Sequence, residues 1–152
     1  LNIKKLNENE RTKFVYQLKN EIDKVKKVLN GIDLLKKIVN SKFIDKQLNI
    51  NGNFEIEILC DDKYLEFDYL SSGEKHLIIL WLYILFSDAN VILIDEPEIS
   101  QHLCWQEEFV EDLIEAQKYK DFIIIIATHS PSIINDNWKL TQTLKYPEKH
   151  GL

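Results

Sequence analysis

A chain of 152 residues, 45% hydrophobic and 29% charged, is long enough to bury one compact core. Its two cysteines, Cys60 and Cys104, lie far apart without CxxC or Cys/His spacing, which argues against a disulfide framework or a zinc site and for a reducing cytoplasm. The net charge of −6 is unevenly laid out: residues 1–46 hold twelve of the nineteen Lys and Arg but six of the twenty-five Asp and Glu, so this stretch is about +6 and the rest about −12. No stretch resembles a signal peptide, and the longest apolar run, Leu77 to Phe86, is shorter than the roughly 20 residues that span a bilayer. The chain has no methionine and begins at Leu1, so we expect Leu1 not to be the native start and the chain to be a fragment or processed product.

Residues 11–40 carry a helical pattern. Val15, Leu18, Ile22, Val25, Leu29 and Ile32 recur at alternating steps of three and four, a heptad seam that fails at Lys36. The spacing predicts a continuous helix over Arg11 to Ile38 with Leu18, Ile22, Val25 and Leu29 on a buried seam. Two packings satisfy it: an amphipathic helix laid on its own domain, or the end of a longer coiled-coil arm. The lysines between, among them Lys19, Lys24, Lys26 and Lys27, form a basic face that could meet nucleic acid phosphates.

From Leu48 to Tyr69 the pattern is that of strands. Phe54 to Ile58 alternates apolar and polar, as does Tyr64 to Phe67 after the turn Asp61-Asp62-Lys63, which predicts a hairpin. A serine-rich turn and a very apolar helix follow, then a strand Val91 to Ile94. A helix is expected from about His102 to Lys118, with Phe109, Val110, Leu113 and Ile114 on one face, and a second strand from Phe122 to Ala127. Both strands are unbroken apolar runs, as strands buried on two faces are; strand, helix, strand makes a βαβ unit with parallel strands.

That topology gathers chemistry at one edge. Val91 to Ile94 delivers Asp95 and Glu96 at its carboxyl end, and ligands of open α/β sheets bind there. One acid can hold Mg²⁺ against nucleotide phosphates, and the next can orient or deprotonate water. A polar loop after a buried strand would look the same. Thr128-His129-Ser130-Pro131 leaves the second strand at the same edge, where an imidazole can hydrogen-bond a phosphate. Leu70-Ser71-Ser72-Gly73-Glu74-Lys75 puts hydroxyls, a glycine N–H and a helix amino terminus together, which makes either an anion site or an ordinary helix cap formed by Ser71 or Ser72.

Leu70-Ser71-Ser72-Gly73-Glu74 resembles the signature motif of ABC-type ATPases in its RecF-, SMC- and OLD-like form. Ile92 to Glu98 resembles the Walker B motif of that superfamily, Ser100-Gln101-His102-Leu103 falls where its D-loop lies, and Ala127 to Pro131 looks like its histidine switch. The four motifs stand in order over residues 65–133. The resemblance implies an α/β, P-loop NTPase-like fold: a carboxyl-terminal lobe with parallel core strands (residues 47–152), preceded by a helical arm (residues 1–46) and a β-hairpin. It implies that Ser71, Ser72, Gly73 and Glu74 meet a nucleotide held by another lobe, that Asp95 serves Mg²⁺, that Glu96 is the general base and His129 the γ-phosphate sensor, and that Ser100, Gln101, His102 and Leu103 face a dimer partner. Gln101 stands where the family often has Leu.

The phosphate-cradling loop G-x-x-x-x-G-K-S/T is absent from this chain. We therefore expect ATP and Mg²⁺ to be bound with a second lobe carrying that loop, as a homodimer or with an amino-terminal part, and this chain alone to be inactive. The resemblance further implies an ATPase that dimerises on ATP and acts on nucleic acid, of which DNA is one candidate, in DNA repair or anti-phage defence, in the cytoplasm, with a nuclease as a candidate partner and no membrane. Two other functions fit less well. A transporter's nucleotide-binding subunit usually has Gln where Glu74 stands, and a non-catalytic module with a decayed site need not keep Glu96.

Overall fold

The structure, a computed structural model, describes residues 7–144; the outer ends of the two expected units, residues 1–6 and 145–152, lie outside the described residues. Helix α1 (Glu8–Lys42) starts at a reciprocal cap. Asn7 Oδ1 accepts from Glu10 N and Glu10 Oε2 accepts from Asn7 N, both at 2.9 Å, satisfying two amides that the helix itself leaves without partners. The helix is continuous, as its spacing predicts, but the predicted burial of its seam does not occur in this chain. Leu18, Ile22, Val25 and Leu29 are 46–57% exposed. No residue of α1 before Gly31 is buried; from there a different stripe, Gly31, Leu35, Ile38, Val39 and Lys42, enters the core. The apolar stripe upstream has no element of the described chain to cover it, so packing on its own domain holds only for the last three turns.

Three contacts fasten those turns. Gly31 is needed for close approach: a Cβ there would lie 2.5 Å from Tyr119 Oη and 3.0 Å from the Phe86 ring. The Tyr119 hydroxyl instead donates to Lys27 O at 2.7 Å. Lys37 pairs with Glu115 at 2.6 Å. Lys42, its side chain only 3% exposed, pairs with Asp112 at 2.9 Å and with Glu108. Burial alone would lower the Lys42 pKa, but hydrogen bonds and charges of Glu108 and Asp112 outweigh it and raise it. Part of the basic–acidic asymmetry of the sequence is thus spent holding the arm's lysines against the acids of one helix.

After the arm come strands β1 (Lys46–Ile50), β2 (Ile56–Cys60) and β3 (Lys63–Leu65), an antiparallel sheet in that order. The β2–β3 turn has Asp61 and Asp62 at φ 49° and 60°, the left-handed pair that matches strand twist in a two-residue hairpin. Asn40 treats β1 as a further strand: its Nδ2 donates to Leu48 O at 3.0 Å and its Oδ1 accepts from Leu48 N at 2.7 Å. Helix α2 (Ser72–Phe86), strand β4 (Val91–Asp95), helix α3 (Leu103–Tyr119), strand β5 (Ile123–Ala127) and the single turn α4 (Pro131–Ile134) complete the lobe. The core lies between α1, α2, α3 and the sheets, with Trp81 and Phe109 edge to face at 6.0 Å.

Strands β4 and β5 pair in parallel, Ile92 opposite Ile124 and Asp95 opposite Ala127. Their burial corrects the sequence reading. Ile92 and Ile94 face the core, but Val91, Leu93, Ile123 and Ile125 are 51–72% exposed. An unbroken apolar run does signal two covered faces, and within the described residues only one is covered. Ile114, expected on the inner face of α3, is exposed, while Phe109 and Leu113 are buried.

Removing Lys42 would strand Asp112 in a largely buried position. Lys42→Met should cost about 3 kcal/mol in urea unfolding, and adding Asp112→Leu should recover at least half of that loss. A small cost for the single change, or no recovery in the double variant, would contradict this account of how the arm is fastened.

Candidate functional site

The pairing of β4 with β5 sets two chain turns side by side. Glu96 N donates to Ala127 O at 2.8 Å, extending the ladder one residue past the strand. At that residue the backbone turns left-handed, φ 46°, a conformation costly for a side chain other than glycine or asparagine and concentrated at functional sites. Pro97, buried, and the bonds Ile99 N to Glu96 O (3.1 Å) and Gln101 N to Glu98 O (3.0 Å) then close the turn.

The turn carries Glu96 to His129: Glu96 Oε1 and His129 Nε2 are 2.5 Å apart. With Glu96 ionised, the hydrogen must sit on Nε2, since a carboxylate only accepts. Asp95 lies beside them, exposed, and its carboxylate makes no hydrogen bond or ion pair among the described residues. Asp95, Glu96 and His129, which the βαβ topology was expected to deliver to one edge, stand together there.

What ties the loop bearing His129 in place is a further acid, Glu98. Glu98 Oε1 accepts from Thr128 Oγ1 at 2.7 Å and from His129 N at 3.1 Å. Thr128 Oγ1 accepts from Ser130 N at 3.0 Å, Ser130 Oγ donates to Gln106 Oε1 at 2.8 Å, and Gln106 Nε2 donates to Gln101 O at 3.1 Å. The loop bearing His129 is thereby tied to the turn after β4. Burial alone would raise the Glu98 pKa, but hydrogen bonds from its own backbone, Thr128, His129 and Ser130 hold it below the ordinary 4.5. An acid two residues after Glu96 was the available signal; the sequence offered nothing to pair it with residue 128.

The second cluster is the Ser71–Glu74 turn. Ser71 is the cap of α2: its Oγ accepts from Glu74 N at 3.2 Å, and Glu74 Oε2 accepts from Ser71 N at 2.8 Å. Ser71 and Ser72 are exposed, whereas Glu74 is buried with its other oxygen 2.7 Å from Lys46 Nζ. Burial works against the Glu74 charge, but the bonds from Lys46 and Ser71 prevail and lower its pKa. Gly73 admits no side chain, because a Cβ would run into the Ser100 carbonyl oxygen. Of the remaining expected residues, Ser100 is left-handed at φ 64°, and Gln101 is buried with neither amide atom partnered among the described residues. His102 packs its ring edge-on to Trp105 at 4.8 Å, and Leu103 is exposed. Gly73 thus touches Ser100, but no hydrogen bond joins Ser71–Glu74 to Asp95, Glu96 or His129 among the described residues.

A metal could be held here in one way. Among the described residues no group of three His, Cys, Asp or Glu could enclose an ion. Asp95 offers a single unengaged hard oxygen ligand, which suits Mg²⁺, an ion commonly bound by one or two carboxylates with substrate phosphates and water filling the rest.

An acid pair and an imidazole thus stand at the carboxyl edge of paired parallel strands, the edge at which open α/β lobes bind ligands. The chain belongs to the AAA ATPase domain family, which matches residues 2–134. No curated protein matches it. Among solved structures it is similar to an Smc head bound to the C-winged helix domain of ScpA, at 19% identity over 68% of this chain and 36% of that one, TM-score 0.46. It is similar also to a structure from work on ATP-driven dimerisation and DNA-stimulated activation of SMC ATPases, at 16% identity over 68% and 70% of the two chains, TM-score 0.44. A third is the Pyrococcus furiosus Smc head with an extended coiled coil bound to the C-terminal domain of ScpA, at 18% identity over 84% and 36%, TM-score 0.44. The chain thus spans about a third of the length of two of these structures, 36% of each. Among the described residues no helix is long and apolar enough to cross a membrane.

The depressed Glu98 pKa fixes the sign of a pH effect. Its stabilisation is complete above the unfolded value near 4.5 and is lost as pH falls through the lower folded value. Glu98→Gln should therefore unfold more easily than wild type at pH 7, by roughly 1 kcal/mol. The gap should close as pH is taken below 4.5; a gap that does not change with pH would show that the Glu98 charge is not what ties the loop.

Proposed function

We propose that this chain supplies one half of a composite ATP site, with Asp95, Glu96 and His129 acting on the nucleotide of its own side and Ser71 and Gly73 meeting one held by a partner. The observation that carries the reading is the Glu96–His129 hydrogen bond beside the unengaged Asp95 at a shared strand edge.

Each residue has a distinct task. Asp95 would hold Mg²⁺, which would supply positive charge against the nucleotide phosphates. Glu96 is the base for the attacking water, and the His129 Nε2–H aims its carboxylate, as a third group orients a base in other hydrolytic sites. Glu98 keeps His129 in reach through Thr128 and the His129 amide. At the other cluster, the exposed hydroxyls of Ser71 and Ser72 and the α2 amino terminus offer donors to an anion, and Ser100 to Leu103 forms the face turned to the partner. Glu74, both of whose oxygens are engaged within the chain, supports the turn from behind.

The part of α1 before Gly31 is read as the end of a coiled coil, because its heptad seam is apolar and uncovered. Its exposed lysines Lys19, Lys26 and Lys27 favour a nucleic acid as what the ATP-driven pairing acts upon.

The test is gel filtration with Mg·ATP of the Glu96→Gln chain together with a lobe carrying the phosphate loop, joined in cis or as a separate chain. Glu96→Gln should produce an ATP-dependent dimer, and adding Ser71→Arg should abolish it while nucleotide binding persists. Equal dimerisation by both forms, or none by either, would refute the composite site.

A further inference from the structure

The Ser71–Gly73 turn is tied to the arm through one lysine. Lys46 opens β1 four residues after α1 ends, and β1 is fixed to α1 by both bonds between Asn40 and the Leu48 backbone. From there Lys46 reaches Glu74 Oε1 at 2.7 Å, and Glu74 Oε2 accepts the Ser71 amide at 2.8 Å. The glutamate of this capping box is buried, only 8% exposed. A buried carboxylate needs a cation or several donors to stay ionised and in place. Without Lys46 the Glu74 carboxylate keeps only the Ser71 bonds, and its better course is to rotate out to solvent, which releases the Ser71 N–H. Gly73 rests on the Ser100 carbonyl, so a shift of this turn is felt by the turn after β4 as well.

We propose that Lys46 is a positioning residue for the Ser71–Gly73 turn, joining the end of the arm to the donors that the composite site presents to its partner's nucleotide. The nucleotide-facing part of this statement rests on the function proposed above; the tethering itself does not.

The experiment is amide hydrogen exchange on the chain by NMR, with no nucleotide present, read at Ser71 and Gly73. Lys46→Met should speed exchange at Ser71 by about five- to tenfold, the effect of losing one buried charged partner of its acceptor. Lys46→Arg should restore it to within about twofold. Lys36→Met is the control, because Lys36 also links α1 to β1, through Asn49 Oδ1 at 3.0 Å, but has no connection to the turn; it should leave Ser71 unchanged. Should Lys46→Met fold poorly, Glu74→Gln provides the background: with the buried charge gone, Lys46→Arg and Lys46→Gln should both change Ser71 exchange less than twofold. Unchanged exchange in Lys46→Met, failure of Arg to rescue, or an equal response to Lys36→Met would each overturn the positioning role. The ATP concentration needed to dimerise Glu96→Gln with the phosphate-loop lobe should also rise severalfold in Lys46→Met. If exchange responds as described and this concentration does not, the tether stands and the composite-site reading is what fails.

Discussion

The parallel pairing of β4 with β5, with Asp95 opposite Ala127, is the constraint on which the rest of the site depends. A one-residue slip would carry Glu96 away from His129, since the bond from Glu96 N to Ala127 O fixes both turns at once. With the register set, the left-handed backbone at Glu96 swings that side chain toward His129 and leaves Asp95 at the end of the strand. Two adjacent acids thereby acquire different surroundings: one is hydrogen-bonded to an imidazole, the other is open to a cation. Their separation comes from the break in the strand, which costs backbone energy and is held by Pro97 and by the bonds that run from Glu98 through Thr128 and Ser130 to Gln106.

A second set of interactions connects this edge to the arm. Lys42 fastens α1 to α3, the helix that begins at the turn carrying Ser100 to His102. Asn40 and Lys46 fasten α1 to β1 and to the cap of α2. The end of the arm is therefore bonded to the helices that follow both motif turns. Gly31 and Gly73 mark where this packing is too close for a side chain, one beneath Tyr119 and the other against Ser100. A tilt of the arm would strain both attachments together, whereas a loss at one would leave the other in place.

Much of this was legible in the sequence because it is local. The arm, the hairpin, the βαβ unit and the Ser71 cap each follow from spacing or from a few neighbouring residues, and topology alone put Asp95, Glu96 and His129 at one edge. What was not legible was non-local. An apolar stripe at Leu18 to Leu29 states that something covers it but not what, and the same holds for Val91, Leu93, Ile123 and Ile125. Glu98 and Gln106 read as ordinary polar residues until Thr128 and Ser130 are brought to them. Glu74 reads as part of a phosphate-facing motif, and only its burial beside Lys46 reveals that it faces inward.

The central claim is that the two adjacent acids divide the work, and it is tested most directly by comparing Asp95→Asn with Glu96→Gln once a phosphate-loop lobe is supplied. Titration of nucleotide with Mg²⁺ and turnover would be measured on the same preparations. Asp95→Asn should weaken Mg²⁺-dependent binding itself, whereas Glu96→Gln should bind as wild type and lose about 10²- to 10⁴-fold in turnover. Loss of binding in Glu96→Gln, or wild-type turnover in either variant, would contradict the division.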